Sequence, residues 1–108
     1  MSKIIYGSVN SNATIESGIG FKVERSDGDG IYKITFDNPF TKRPTVVATQ
    51  CFSNTDSSDS WDNISSNGGD TRDNVVVIAV KEDSCKLKTG DSSGTACDRK
   101  FGFIAIGE

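Results

Sequence analysis

Leu87 is the only leucine of the chain, against ten isoleucines and eight valines. A branched Cβ stiffens χ1 and crowds the preceding turn of a helix, but it packs well on a pleated surface. The apolar residues therefore come in the form that a sheet uses. No window places apolar residues at i, i+3, i+4 and i+7 over three turns, so an all-β protein is expected.

Alternation and turn residues place the strands. Ile4 to Val9 reads as a first strand, and residues 14–17 (TIES) read as a short second segment after a Ser/Asn turn. In GFKVER, Phe21, Val23 and Arg25 alternate with Lys22 and Glu24; SDGDG supplies the glycine and aspartate of a tight turn; IYKITF returns with Tyr32, Ile34 and Phe36 on one face. Residues 20–36 thus predict a β-hairpin. DNPFTKRP holds both prolines, Pro39 and Pro44, which lack the N–H a central ladder needs. It is expected to connect two sheets, with Lys42 and Arg43 at a solvated corner. Residues 45–52 (TVVATQCF) and 74–80 (NVVVIAV) are apolar on both faces, which predicts central or sandwiched strands. Residues 84–89 predict a short strand, GDSSG a turn, and KFGFIAIG a closing strand with Phe101, Phe103 and Ala105 alternating against Gly102, Ile104 and Ile106. Six to seven such strands predict one antiparallel β-sandwich domain over residues 1–108, with a small barrel as the alternative.

Several function classes fall away on composition. The net charge is −3, with 12 basic and 15 acidic residues mixed along the chain, so no field gathers nucleic-acid phosphates. No apolar run approaches the roughly 20 residues of a spanning helix, so no membrane insertion is expected. The start MSKIIYGSVN lacks a secretory signal. A soluble protein is expected, with its localisation open between a piece of a longer protein, a virion-associated component and an extracellular product of unconventional export. There is no histidine. Ser-His-Asp and Cys-His catalysis and mixed Cys/His zinc sites are thereby removed, and a non-catalytic protein is expected. Cys51, Cys85 and Cys97 are too odd a number for a closed disulfide framework. Cys85 and Cys97 bracket a short connection and are candidates to meet across a hairpin; the alternative is three small, mostly buried thiols.

Residues 53–74 interrupt the strand pattern with six serines, five aspartates, four asparagines and the single tryptophan, Trp61. A loop of this length in a small domain is usually functional or disordered. An indole favours order, because it is kept to pack on the protein's own sheet or on a ligand. Sugar recognition needs an apolar face for pyranose C–H groups with planar amides and carboxylates around it. Trp61, Asp62, Asn63 and Asn67 supply those groups within a few residues. Asp56, Asp59 and Asp62, together with Asp70 and Asp73, are candidate calcium ligands, since Ca²⁺ prefers carboxylate and carbonyl oxygen. Their spacing is not that of an EF-hand, and a solvated acidic loop is the alternative. Asn12 in NAT and Asn63 in NIS match the glycosylation pattern.

The order of these signals resembles a widespread class of bacterial and phage-associated modules. GSVNSNATIESGIGFKVERSDGDGIYKITFDNPFTKRPTVVAT matches their run of G-x-G-F-x-V, Gly-rich turn, Y-x-I-x-F, P-F and P-x-V-V-A-T, and TGDSSGTACDRKFGFIAIG is similar to their closing stretch. The likeness spans nearly the whole chain apart from 53–74. Such modules sit at the ends of collagen-like or tail-fibre-like proteins and resemble the H-type lectins in strand pattern. The resemblance implies a six-stranded antiparallel sandwich that forms trimers and binds N-acetylgalactosamine-type sugars near protomer boundaries. It also implies a sugar-contacting role for Arg72, which stands just before a strand as an arginine of those lectins does. Their Trp/His feature beside the late hairpin has no counterpart in KTGDSSGTACDRKF.

The expected function is a non-catalytic, lectin-like module that recognises cell-surface carbohydrate as a homo-oligomer, a trimer or hexamer, in which weak sites combine by avidity. Trp61 would stack on the sugar, with Asp62, Asn63, Asn67, Asp70 and Arg72 setting hydroxyl specificity. A second reading is a structural fibre-tip or trimerisation domain of a viral, phage or collagen-like protein. A third, an enzyme built on carboxylates such as Asp91 and Asp98, has the least support.

Overall fold

The computed structural model describes residues 2–51 and 70–108, and over these residues the chain is all-β with no helix. Eight strands follow in order: β1 Lys3–Val9, β2 Ile15–Ser17, β3 Phe21–Arg25, β4 Ile31–Phe36, β5 Thr45–Gln50, β6 Val75–Val80, β7 Ser84–Thr89 and β8 Phe101–Gly107. They form two antiparallel four-stranded sheets, β2-β1-β8-β5 (sheet A) and β3-β4-β7-β6 (sheet B). The count is eight rather than six to seven because the three-residue β2 pairs as a strand in its own right, across a bulge at Ser8/Val9.

Period-2 alternation sends one side of each strand into the space between the sheets. Val9, Tyr32, Ile34, Leu87, Phe101 and Ala105 have no exposed surface, and Phe21, Phe36, Phe40, Cys85 and Phe103 are nearly as buried. Aromatic edges join the two sheets. Phe21 of β3 meets Phe103 of β8 at 4.9 Å and 88°, and Tyr32 of β4 meets Phe101 of β8 at 5.0 Å and 60°. Each such pair adds about 0.5–1.5 kcal/mol beyond its burial. The Tyr32 hydroxyl leaves the core by donating to the Ser11 carbonyl at 2.6 Å.

The hairpin at 20–36 is present in register from Phe21↔Phe36 to Arg25↔Tyr32. DNPFTKRP does connect sheet B to sheet A, with Lys42 and Arg43 exposed. It also contributes to the core. Phe40 packs edge-on against Phe36 at 5.1 Å and lies under the Lys3 ammonium, whose proton donors reach the Asn38 and Pro39 carbonyls.

The expectation that 45–52 and 74–80 form central or sandwiched strands is corrected. Their strands, β5 and β6, occupy sheet edges, and Val47, Val76 and Ile78 are about half exposed on the outside. The central places in sheet A go to β1 and β8, which pair along their full length from Lys3↔Gly107 to Val9↔Phe101. In β6 a bulge between Val77 and Ala79 leaves Ile78 and Ala79 both exposed. Two-faced apolarity is therefore a statement about what each face meets and not about place in the sheet.

The suggested Cys85–Cys97 pairing is also corrected. Cys85 is buried in β7, while Cys97 lies opposite Thr89, four residues further along that strand, where its N–H donates to the Thr89 carbonyl at 3.2 Å. All three cysteines are free thiols. Burial pushes the Cys85 thiol up to about 12, so this sulfur stays protonated at neutral pH.

Candidate functional site

β6 and β7 form a hairpin that begins at Val75↔Thr89 and ends at Val80↔Cys85. This register carries the residues before β6 and those after β7 to one end of sheet B. A cleft of about 380 Å³ opens there, with Arg72, Asn74, Lys88, Asp91 and Ser92 as its polar lining and Val76 and Ala96 as apolar floor.

The far wall is a well-determined turn. Asp91 Oδ1 accepts the N–H groups of Ser93 and Thr95, both at 2.9 Å, and the Asp91 N–H donates to the Thr95 carbonyl at 3.0 Å. Gly94 completes the reversal at φ +84°, a left-handed conformation that a side chain would strain. From the opposite sheet, the Gln50 amide clamps Gly90, donating to its carbonyl at 2.9 Å and accepting its N–H at 3.2 Å. Thr89 is buried and donates to the Cys97 carbonyl at 2.6 Å. The turn is thus held by both sheets, as a rigid wall for a ligand requires.

The near wall carries the charge. Asp70 and Arg72 form a two-pronged pair: Arg72 Nε donates to Asp70 Oδ1 at 3.1 Å and Nη2 to Oδ2 at 2.9 Å, while the Arg72 backbone N–H also reaches Oδ1. The guanidinium beside it, helped by Ser92, holds the Asp70 carboxyl down at about 2. The same contact raises the Arg72 pKa. The arginine side chain remains largely exposed, so the pair fixes its direction without burying its remaining donors.

Of the residues expected to contact sugar, Asp70 and Arg72 are brought together at this cleft. Trp61, Asp62, Asn63 and Asn67 lie outside the described residues, as do the calcium candidates Asp56 and Asp59. The two described members of the acidic set both face arginines: Asp70 is paired to Arg72, and Asp73 stands 3.7 Å from Arg99. Among the described residues no group of three Cys, Asp or Glu side chains comes together to hold a metal. Asp91 and Asp98 are each engaged in a different loop. Asp91 holds its turn, and Asp98 ties the late connection to the β3–β4 hairpin through Arg25 at 2.9 Å and the Gly30 N–H at 2.7 Å.

Asn74, Lys88, Asp91 and Ser92 were not singled out as ligand residues from the sequence. The signal was present in KED, residues 81–83, as a hairpin turn: folding 74–80 back on 84–89 necessarily brings 70–74 beside 90–96. No membrane-spanning helix occurs among the described residues. No protein-family model, curated protein or solved structure matches the chain.

Proposed function

We propose that the protein is a non-catalytic carbohydrate-binding module of lectin-like type, acting on cell-surface glycans as a homo-oligomer. The observation that carries this reading is the cleft between the Asp70–Arg72 pair and the 91–95 turn. Sugar hydroxyls are neutral and both donate and accept, so they are matched by fixed guanidinium, amide, carboxylate and hydroxyl groups beside a small apolar floor. Arg72, Asn74, Asp91 and Ser92 supply those polar groups, and Val76 and Ala96 supply the floor. Trp61 and its neighbours Asp62, Asn63 and Asn67 belong to the segment that leads into Asp70, and they would add the stacking face and further hydroxyl contacts. The resemblance to H-type lectins is consistent with this reading but does not select the sugar. Non-catalytic action is favoured because Asp91 and Asp98 are engaged in holding loops.

A glycan array with labelled protein tests the proposal, run in calcium and again in chelator beside Arg72→Ala and Trp61→Ala. Binding by the wild type that is lost in both variants is the expected result. Loss in chelator would assign a calcium-dependent role to the aspartates Asp56, Asp59 and Asp62. Silence of the folded wild type across a broad array sinks the carbohydrate reading.

The second reading, a structural fibre-tip or trimerisation domain, is favoured by one specific observation: the nine outward residues of β1, β8 and β5 in sheet A carry no charge. Under that reading the cleft is a by-product of the β6–β7 hairpin and Arg72→Ala changes nothing.

A further inference from the structure

In sheet A the outward residues of β1, β8 and β5 form three rows in register. They are Ile4–Ile106–Thr45, Tyr6–Ile104–Val47 and Ser8–Gly102–Thr49. None of the nine carries a charge. Ile4 (55%), Tyr6 (63%), Val47 (56%), Ile104 (45%) and Ile106 (43%) are the large exposed side chains of this face. An antiparallel sheet with a solvated outer side normally alternates apolar-in with polar-out. Here β1 and β8 are apolar on both sides, so their sequence is fitted to a second covering.

From this geometry we infer that the outer face of sheet A is the surface on which a second copy of this chain docks. The inference names the contact behind the oligomer invoked above, yet it stands on the sheet face alone and holds whether or not the cleft takes a glycan. Three features select a second copy. The first is charge: these nine positions meet their own copy with no like-charge repulsion, the β2 carboxylate Glu16 being paired to Lys100 at 2.7 Å, whereas β3, β4 and β7 of sheet B present Lys22, Glu24, Lys33, Lys86 and Lys88. The second is area. The five apolar side chains leave roughly 500 Å² exposed, about the largest patch a soluble monomer shows, and the Ser and Thr rim extends it toward the roughly 800 Å² that each partner of a stable complex contributes.

The third feature is relief. Gly102 leaves the middle of the third row without a side chain, and a shallow trough of about 620 Å³ runs there between Tyr6, Ser8, Val47 and Thr49. Beside it the Tyr6–Ile104–Val47 row stands up as an apolar ridge. A face with one ridge and one trough offers a copy of itself the complementary shape, and sheets so packed lie about 10 Å apart. Packing of this kind removes Tyr6 and the three isoleucines from water, which is the main driving force for association.

Equilibrium sedimentation of the whole chain from low to high micromolar concentration tests the inference, alongside Ile104→Lys, Val47→Lys and, on the edge of sheet B, Ile78→Lys. The wild type and Ile78→Lys are expected at a multiple of the 11.6 kDa protomer. Ile104→Lys and Val47→Lys are each expected to fall to 11.6 kDa with the far-ultraviolet spectrum of a folded sheet protein. Val47 lies on an edge strand, so its variant keeps the test valid if Ile104→Lys fails to fold. A wild type that stays at the protomer mass throughout overturns the inference and leaves the face to some other occupant. So does an oligomer that survives both sheet A lysines. The array is read on Arg72→Ala, which leaves the sheet A face intact, and sedimentation on the sheet A lysines, so failure of glycan binding and failure of the assembly are told apart.

Discussion

The two sheets use the same alternation inward and opposite chemistry outward. Sheet A shows water Ile4, Tyr6, Val47, Ile104 and Ile106, while sheet B shows Lys22, Glu24, Lys33, Lys86 and Lys88 on β3, β4 and β7 and exposes Val76 and Ile78 only on its edge strand β6. In sheet B the cross-strand rows are themselves managed. Lys33 stands directly opposite Lys86, a repulsive pairing, but Glu24 faces Lys33 from the other side and Asp27 takes the Lys86 ammonium at 2.7 Å. Over β3, β4 and β7 that face is finished for water. The difference teaches that inward residues report the core shared by both sheets, whereas outward residues report what each sheet meets beyond the protomer.

The strongest way to break the comparison uses adjacent residues of β8. Phe103 is buried against Phe21, and Ile104 points outward on the same strand. Phe103→Ala is expected to cost about 3–5 kcal/mol, and Ile104→Ala about 1 kcal/mol or less, in urea unfolding of the dissociated protomer. Equal losses would mean that the outer face of sheet A is already covered within one chain.

Alkali gives the next effect and acts through the inner side of sheet B. Burial raises both Cys85 and Tyr32 to about 12, from 9.0 and 10.0 in the unfolded chain. Above pH 9 the unfolded state releases these protons first while the folded state keeps them. Stability is therefore level below 9 and falls as pH rises toward 12, by on the order of a few kcal/mol. Thermal melting against pH reads this, and Cys85→Ser should flatten the first part of the fall. An unchanged alkaline profile in that variant would mean that the thiol is not shielded as the fold requires.

Smallest is the contribution of charge on the outer side of sheet B. Lys86→Ala removes the Asp27 contact that lowers that exposed carboxylate's pKa, and it also relieves the repulsion with Lys33. Only a slight drop in melting temperature is expected, vanishing in high salt, because exposed ion pairs are weak and screened. Association through sheet A should by contrast resist salt. An oligomer that dissolves as ionic strength rises would reverse the roles given to the two faces.

Strand positions were legible because alternation is local. The 20–36 hairpin, the 84–89 strand and the inward set Phe101, Phe103 and Ala105 follow from spacing and turn residues alone. The role of Phe40 was not, since it lies in a proline-flanked connection with no periodicity, and it is buried only because Phe36 and Lys3 converge on it. Half of the candidate site was visible as Asp70 and Arg72. The rest was hidden because Lys88, Asp91 and Ser92 belong to a strand end and a turn whose proximity depends on pairing between β6 and β7.

By itself the sequence determined an all-β chain, the approximate bounds of its strands and, for the 20–36 hairpin and the closing strand, the side that faces the core. Those properties depend on β-branched side chains, on period 2 and on turn residues, all of which act within a few positions. Only the tertiary structure decided that β1 and β8 lie centrally in sheet A, that β5 and β6 are edges, that the thiols remain apart, and that β1, β8 and β5 line up an exposed row of uncharged residues. Each of these depends on contacts between residues far apart in the chain. A strand with two apolar faces does not say which of them is covered, and only the assembled sheets show which covering the protomer itself provides.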